Sequence, residues 1–350
     1  MVANNCKKLF LLLSLFQLLL GLAYDNRSIF SSAMAVAAAS TPPTTTPECA
    51  VVGVGVLGTS LCKQLLRDPD LKDWKVTGIT KSTKRHEQIL KEVLGEDDRY
   101  SDRFGLRTAD DNNDNKKFNH CVFCAPPSGF DDYPAAVKDA VDNLWLGQID
   151  ENIGGAFAFT SSGGIYGSGG DEVDVSPIVT ESSQLTGSTP RIERLVNAEK
   201  EVLKHKGGSV LRLAGLYLLD RGAHNFWLGD TAELTKEEIA GRPDSLINLL
   251  HYDDAAGSVV AALKKTSKSS SDDDSQEGRI FLVSDGHPLS RQQICESSLK
   301  NKRYLDRTIP KFTGSKENGD PIGKAYDGSF TNKYLEWEPR YESFDKFMSS

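Results

Sequence analysis

The run Gly53-Val-Gly55-Val-Leu-Gly58 has the spacing of a turn that cradles a pyrophosphate. In such a run the first glycine makes the turn, the second lets backbone approach the phosphates, and the third lets the following helix pack on the preceding strand. The amides of Val56, Leu57 and Gly58 and the positive end of a helix dipole would then face the phosphate oxygens. A second reactive group stands at Phe159-Thr-Ser161-Ser162-Gly-Gly-Ile-Tyr166-Gly167, where hydroxyls emerge from an apolar run. Hydroxyls so placed polarise a substrate oxygen or pass a proton. Between the two groups, Thr80, Lys81, Ser82, Lys84 and Arg85 supply hydroxyls and cations where an NAD-binding turn carries an Asp or Glu for the ribose. No carboxylate stands there. Lys81, Ser82 and Arg85 suit the 2′-phosphate of NADP, so the cofactor reading is NADP, with NAD as the alternative.

These groups need a parallel sheet to bring them to one edge. Apolar strand-like runs at Ala50–Val54, Trp74–Ile79, His120–Cys124, Ala156–Thr160 and Val210–Ala214 alternate with helical stretches at Thr59–Arg67, Lys84–Leu94, Tyr133–Gln148 and Ile192–His205. A short strand is expected near Phe104–Arg107, inside the polar, acidic stretch 97–117. The alternation predicts an α/β fold, a Rossmann doubly wound parallel sheet with a small C-terminal substrate-cap region. After Leu216 the rhythm loosens. The pattern predicts a strand at Leu246–His251, a helix from an Asp253 N-cap to Lys264, a low-complexity mobile run at 267–278, a strand at Arg279–Val283 and a helix at Ser290–Leu299. A short strand and a small helix close the chain over 323–341. The expected division is a dinucleotide-binding core at 48–220 and a substrate region with additional Rossmann elements at 221–350.

With 350 residues, 39% of them hydrophobic, the chain can bury a sizeable core. Its net charge of -8 argues against a nucleic-acid surface, which needs a basic patch. Lys7 and Lys8 precede an apolar run from Leu9 to Leu22, and Gly21-Leu-Ala23 offers small residues for cleavage, the pattern of a secretory signal over 1–23. The run is short for a membrane span, which takes about 20 residues, so the mature chain is expected to keep none. The stretch 24–47 reads as a transit-like segment or linker: past Asp25 it carries Arg27 and many Ser, Thr and Ala without an acidic residue until Glu48. Asn26-Arg-Ser28 also has the form of a glycosylation sequon. Signal plus transit-like stretch resembles the bipartite presequences of algae whose plastids are reached through the secretory pathway; secretion or retention in the ER lumen is the alternative destination. Cys121 and Cys124 fall on opposite faces of one strand and read as packing residues rather than a metal or redox pair, and no metal is expected.

The glycine turn, the Ser-Ser-x-x-x-Tyr-Gly signature and Leu211-Arg-Leu-Ala214-Gly-Leu216-Tyr217, in that order, resemble the extended short-chain dehydrogenase/reductases, the NAD-dependent epimerase/dehydratase group. Ile247-Asn-Leu-Leu-His251-Tyr-Asp-Asp254 and Leu335-Glu-Trp337-Glu-Pro-Arg340-Tyr341 resemble its end-domain segments. The resemblance implies cofactor contacts at Ala125, Pro126, Ser161, Ala214 and Leu216, a catalytic role for Ser162, and an oxidoreductase or epimerase/dehydratase-like activity on a small carbonyl or hydroxyl substrate such as a nucleotide sugar. It also implies a homodimer through the helices at Tyr133–Gln148 and Ile192–His205. The family's Tyr-x-x-x-Lys dyad is replaced: aligned through Glu199, Arg191 stands at the Tyr position and Leu195 at the Lys position. Arginine does not donate a proton near neutral pH. Tyr166, Arg191, His224 and His251 are therefore the remaining candidates for the chemistry, and a catalytically silent NADP sensor or scaffold is the other reading.

Overall fold

Seven strands pair in parallel because their side chains are apolar on both faces. In the computed structural model β1 (Glu48–Val52), β2 (Lys75–Thr80), β3 (Phe104–Thr108), β4 (His120–Phe123), β5 (Ala156–Ser162), β6 (Gly208–Leu213) and β7 (Arg279–Val283) form one sheet, ordered β3-β2-β1-β4-β5-β6-β7. Every ladder is parallel. Cys49, Ala50 and Val51 of β1 and Phe157, Ala158 and Phe159 of β5 are wholly buried, as strands covered on both sides must be. The cover comes from α1 (Val56–Arg67), α2 (His86–Leu94), α3 (Tyr133–Asp139), α4 (Pro190–Leu203) and α6 (Tyr252–Ser267), with α1 packed on α6 and α3 on α4. Strand order reverses beside β1, so a crevice opens outside the C-terminal ends of β1 and β4, where doubly wound sheets hold ligands.

The structure describes residues 46–95, 98–111, 116–147, 155–167, 176–186, 188–267 and 278–350. The expected signal and all but the end of the transit-like segment, and the low-complexity run within 268–277, lie outside the described residues. Residues 46–350 cluster as one compact unit. Its remaining helices are α5 (Ala223–Leu228), α7 (Arg291–Ser298), α8 (Ser329–Leu335) and α9 (Phe344–Met348). A second apolar cluster, including Tyr217, Trp227, Ile294, Tyr304, Phe344 and Met348, anchors the C-terminal part. Among the described residues no helix is long and apolar enough to cross a membrane.

Three expected elements differ. The run Leu246–His251 is two strands: Leu246–Ile247 pairs antiparallel with Leu289–Ser290, and Leu249–His251 pairs parallel with Gly215–Tyr217. Asn248 separates them, its side chain donating to the Lys324 carbonyl at 2.8 Å and accepting from the Tyr326 amide at 2.8 Å. The helix from Tyr133 widens into a π turn at Ala140–Leu144 and stops, because Trp145 forms a bridge with Phe118. Asp253 is not an N-cap but lies within the first turn of α6, where it accepts from Ser60 Oγ at 2.5 Å and fastens α6 to α1. Its neighbour Asp254 accepts the amides of Arg340 and Tyr341 and fastens the chain end.

Candidate functional site

The three glycines of the turn have three different surroundings. Gly53 has φ +97°, and a Cβ there would lie 2.5 Å from the backbone of Ala125. A Cβ on Gly58 would lie 2.4 Å from the Gly53 carbonyl, so this position lets α1 approach β1. Gly55 is different: a Cβ there meets nothing within 4 Å. Gly55 is the N-cap of α1 and supplies no side-chain acceptor, and the first turn carries no acidic residue. Open space thus lies beside Gly55 at the positive end of a dipole, which fits the pyrophosphate of a dinucleotide. The opposite wall is the β4 exit, where the Ala125 carbonyl accepts from Tyr133 Oη at 2.8 Å and the carbonyls of Pro127 and Phe130 accept from Arg194. Cys124 donates to the Val52 and Gly53 carbonyls beneath the turn, and burial raises its thiol to about 12, so it is an inert packing thiol.

At the end of β2, Lys81, Ser82, Lys84 and Arg85 are exposed. Ser82 caps a 3-10 turn without using its hydroxyl, and Arg85 Nε donates to Gln88 at 3.3 Å. The Thr80 hydroxyl is turned inward, 2.7 Å from His86 Nε2 and 3.1 Å from the Ser82 carbonyl. His86, which fixes this corner, was not singled out by the sequence. A cavity of about 650 Å³ lies between the sheet at Val52, Ile79 and Phe123 and the helix α3 with its π turn, lined also by Arg107, Lys117 and Asn143. A larger one of about 1240 Å³ lies between α1, α6 and the chain end, reaching Arg279 at the start of β7.

Ser162 ends β5 and begins the turn Gly163–Tyr166, its Oγ accepting from the Gly164 amide at 3.1 Å. Among the described residues no acceptor takes its hydroxyl proton at the sheet's C-terminal edge. Ser161, one residue back, is buried, and its Oγ has no partner among the described residues. Tyr166 belongs to a different structure. Its phenol is buried, accepts from Arg212 Nη1 at 2.7 Å and donates to the Glu181 carbonyl at 3.2 Å. Burial pushes this phenol above its ordinary value, against the pull of the guanidinium. Arg212 in turn pairs with Glu199 at 2.7 Å, both almost fully buried. Tyr166 thus braces a buried ion pair. The signal for this pair was in the sequence: an arginine inside the apolar strand Val210-Leu-Arg-Leu213, and a glutamate on the apolar face of α4.

Arg191 is exposed on the first turn of α4, and Leu195 is buried in the core at the position expected for lysine. His224 packs edge-on against Tyr304 and Phe344, and burial lowers it to about 4. His251 packs on Tyr341 and accepts from the Asp253 amide. Both histidines are buried in the C-terminal part of the fold. The strands leading to Ala214 and Leu216 hold those residues past β6, with the Ala214 amide bound to Val283 and Leu216 paired with Leu250.

Sheet order, glycine turn and crevice define a doubly wound α/β protein of the Rossmann type. No family model and no curated protein matches the chain. Solved structures do. UDP-glucuronic acid 4-epimerase from Bacillus cereus, in complex with UDP-glucuronic acid and NAD, superposes with a TM-score of 0.63 at 18% identity, covering 86% of this chain and 96% of that one. dTDP-glucose 4,6-dehydratase from Bacillus anthracis, in complex with NAD, gives 0.61 at 14% identity over 87% and 94%. The UDP-Glc/GlcNAc 4-epimerase of Campylobacter jejuni gives 0.60 at 16% identity over 87% and 97%. At these identities the likeness is one of fold.

Proposed function

We propose that the chain binds a nicotinamide dinucleotide across the ends of β1, β2 and β4 and acts on a hydroxyl or carbonyl carbon of a small substrate, as an epimerase/dehydratase-like oxidoreductase. The observation that carries this reading is the glycine turn, in which Gly53 and Gly58 are required by packing while Gly55 faces open space at the start of α1. The amides of Val56, Leu57 and Gly58 would hold the pyrophosphate, with Ala125, Pro126, Ser161, Ala214 and Leu216 along the rest of the dinucleotide. When bound, it supplies hydride chemistry. Ser162 donates its hydroxyl proton to the substrate oxygen. Lys81, Ser82 and Arg85 favour NADP, whereas two of the similar folds are named with NAD; the preference rests on this chain's own cations.

The nucleotide-sugar substrates named for the similar structures support that substrate class. The test is incubation with UDP-glucose, UDP-glucuronic acid and dTDP-glucose, each with NADP(H) and NAD(H), following sugar products by anion exchange. A new or epimerised sugar is expected. Dinucleotide binding with no product across this panel would return the silent-sensor reading. For the homodimer, α3 and α4 carry exposed Lys138, Glu193, Asn197 and Lys200, and sedimentation would decide it. Entry through the secretory pathway, with a plastid as destination, is tested by sequencing the N-terminus of the mature protein.

A further inference from the structure

With Arg191 exposed and Leu195 buried, α4 presents no proton donor to Ser162. A tyrosine and a lysine reach the end of β5 from another direction. The segment Lys324–Asp327 lies along Pro177–Val179, with the Ala325 amide donating to the Pro177 carbonyl at 3.0 Å and the Asp327 amide to that of Val179 at 2.9 Å. Asn248 holds it from the other side through the Lys324 carbonyl and the Tyr326 amide. The Tyr326 phenol consequently lies against the residue after Ser162: a Cβ on Gly163 would come within 2.5 Å of Tyr326 Oη and 2.7 Å of Cζ. No hydrogen-bond partner of that hydroxyl is found among the described residues.

Lys324 is 7% exposed, and its ammonium stands 5.8 Å from the centre of the Tyr326 ring. It donates to the Gly167 carbonyl. No carboxylate pairs with it among the described residues. Buried lysines are rarely left without a counter-charge, and burial lowers this one to about 8. Burial likewise pushes the Tyr326 phenol up. The phenol lies against Gly163, one residue past Ser162, with an ammonium 5.8 Å from its ring centre, a placement that suits proton transfer at the end of β5.

We propose that Tyr326 is the proton donor and acceptor for the substrate oxygen bound by Ser162, and that Lys324 is the positioning residue whose charge stabilises the phenolate. This rests on the dinucleotide reading above. In the reducing direction the carbonyl carbon gains a hydride from the reduced nicotinamide. The C–O π pair moves to oxygen, oxygen takes the Tyr326 proton, and the phenolate recovers a proton from solvent; oxidation runs the same step backwards.

The test is an NMR titration of the full protein carrying [13Cζ]tyrosine, with Tyr326 assigned through Tyr326→Phe, in complex with NADP+ and with NADPH. The oxidised ring carries one more positive charge, so a phenol at reaction distance should ionise about two pH units lower in the NADP+ complex. Lys324→Met should lower turnover below about pH 8, where the ammonium is charged, and leave it little changed above that pH, with dinucleotide affinity unaltered. Tyr326→Phe should lower turnover on any sugar that reacts by about 100-fold or more, with dinucleotide affinity unchanged. The same ionisation in both complexes would overturn the inference and leave the dinucleotide reading intact, since binding is observed in the same samples. Failure of either dinucleotide to bind would overturn that underlying reading. The oxidised-against-reduced comparison is made on the wild-type chain, so it stands whether or not a variant folds.

Discussion

Replacing Gly55 with aspartate should abolish dinucleotide binding without unfolding the protein. Gly55 has φ -90° and ψ -152°, an extended backbone open to any L residue, and its Cβ would meet nothing within 4 Å. Aspartate is also a favoured N-cap, so the helix should gain up to about 0.5 kcal/mol relative to glycine. The bound pyrophosphate would instead meet a carboxylate. At about 4 Å and an effective dielectric near 20, each phosphate charge is repelled by about 4 kcal/mol. Halving this for solvent and counting two phosphates leaves about 4 kcal/mol, roughly a thousandfold in affinity. Gly53→Ala should behave in the opposite way. Its φ of +97° and the 2.5 Å approach to Ala125 place the cost in folding, seen as a melting temperature lower by roughly 2 °C or more. Fluorescence titration with NADPH and a thermal melt on each variant separate the two effects. An affinity for Gly55→Asp within about threefold of wild type would refute the placement of the phosphates.

Other consequences are equally direct. Lys81→Asp combined with Arg85→Ala should weaken NADPH by about tenfold or more and leave NADH nearly unchanged, measured by titration of both. Arg212→Met leaves Glu199 buried without its partner and should lower stability by about 3 kcal/mol or more in urea unfolding. Tyr166→Phe removes one brace of the same pair and should cost about 1 kcal/mol while dinucleotide binding persists. Asp285 is buried, and burial raises its carboxyl to about 7, against about 3.9 in an unfolded chain. Its contribution is therefore present below about pH 4 and is lost as pH rises through about 7, a loss of roughly 3 kcal/mol between pH 5 and pH 8. Asp285→Asn should flatten that part of the stability profile in paired urea titrations.

The sheet was legible because its strands are unbroken apolar runs, and because a glycine turn so spaced has one main use between a strand and a helix. β3 was found from a short run inside a polar stretch for the same reason. What failed was anything decided by contacts distant in sequence. Leu246–His251 reads as one strand until Asn248 is seen bonding to Lys324 and Tyr326, some 76 and 78 residues away. Tyr166 carries the right residue type in the right motif, and only the approach of Arg212 shows that its phenol is engaged. Asp253 has the composition of a cap, yet its partner is Ser60 on α1. Lys324 and Tyr326 carry no motif. Their meaning comes from Gly163, whose missing side chain makes room for the phenol.

The central claim is a dinucleotide site built on the turn Gly53–Gly58. Isothermal titration of the purified chain with NADPH, NADP+, NADH and NAD+ tests it most directly. One site per chain with micromolar affinity, about −8 kcal/mol, and a preference for the phosphorylated pair is the predicted result. Absence of heat or saturation for all four at millimolar concentration, with the protein folded, would contradict it.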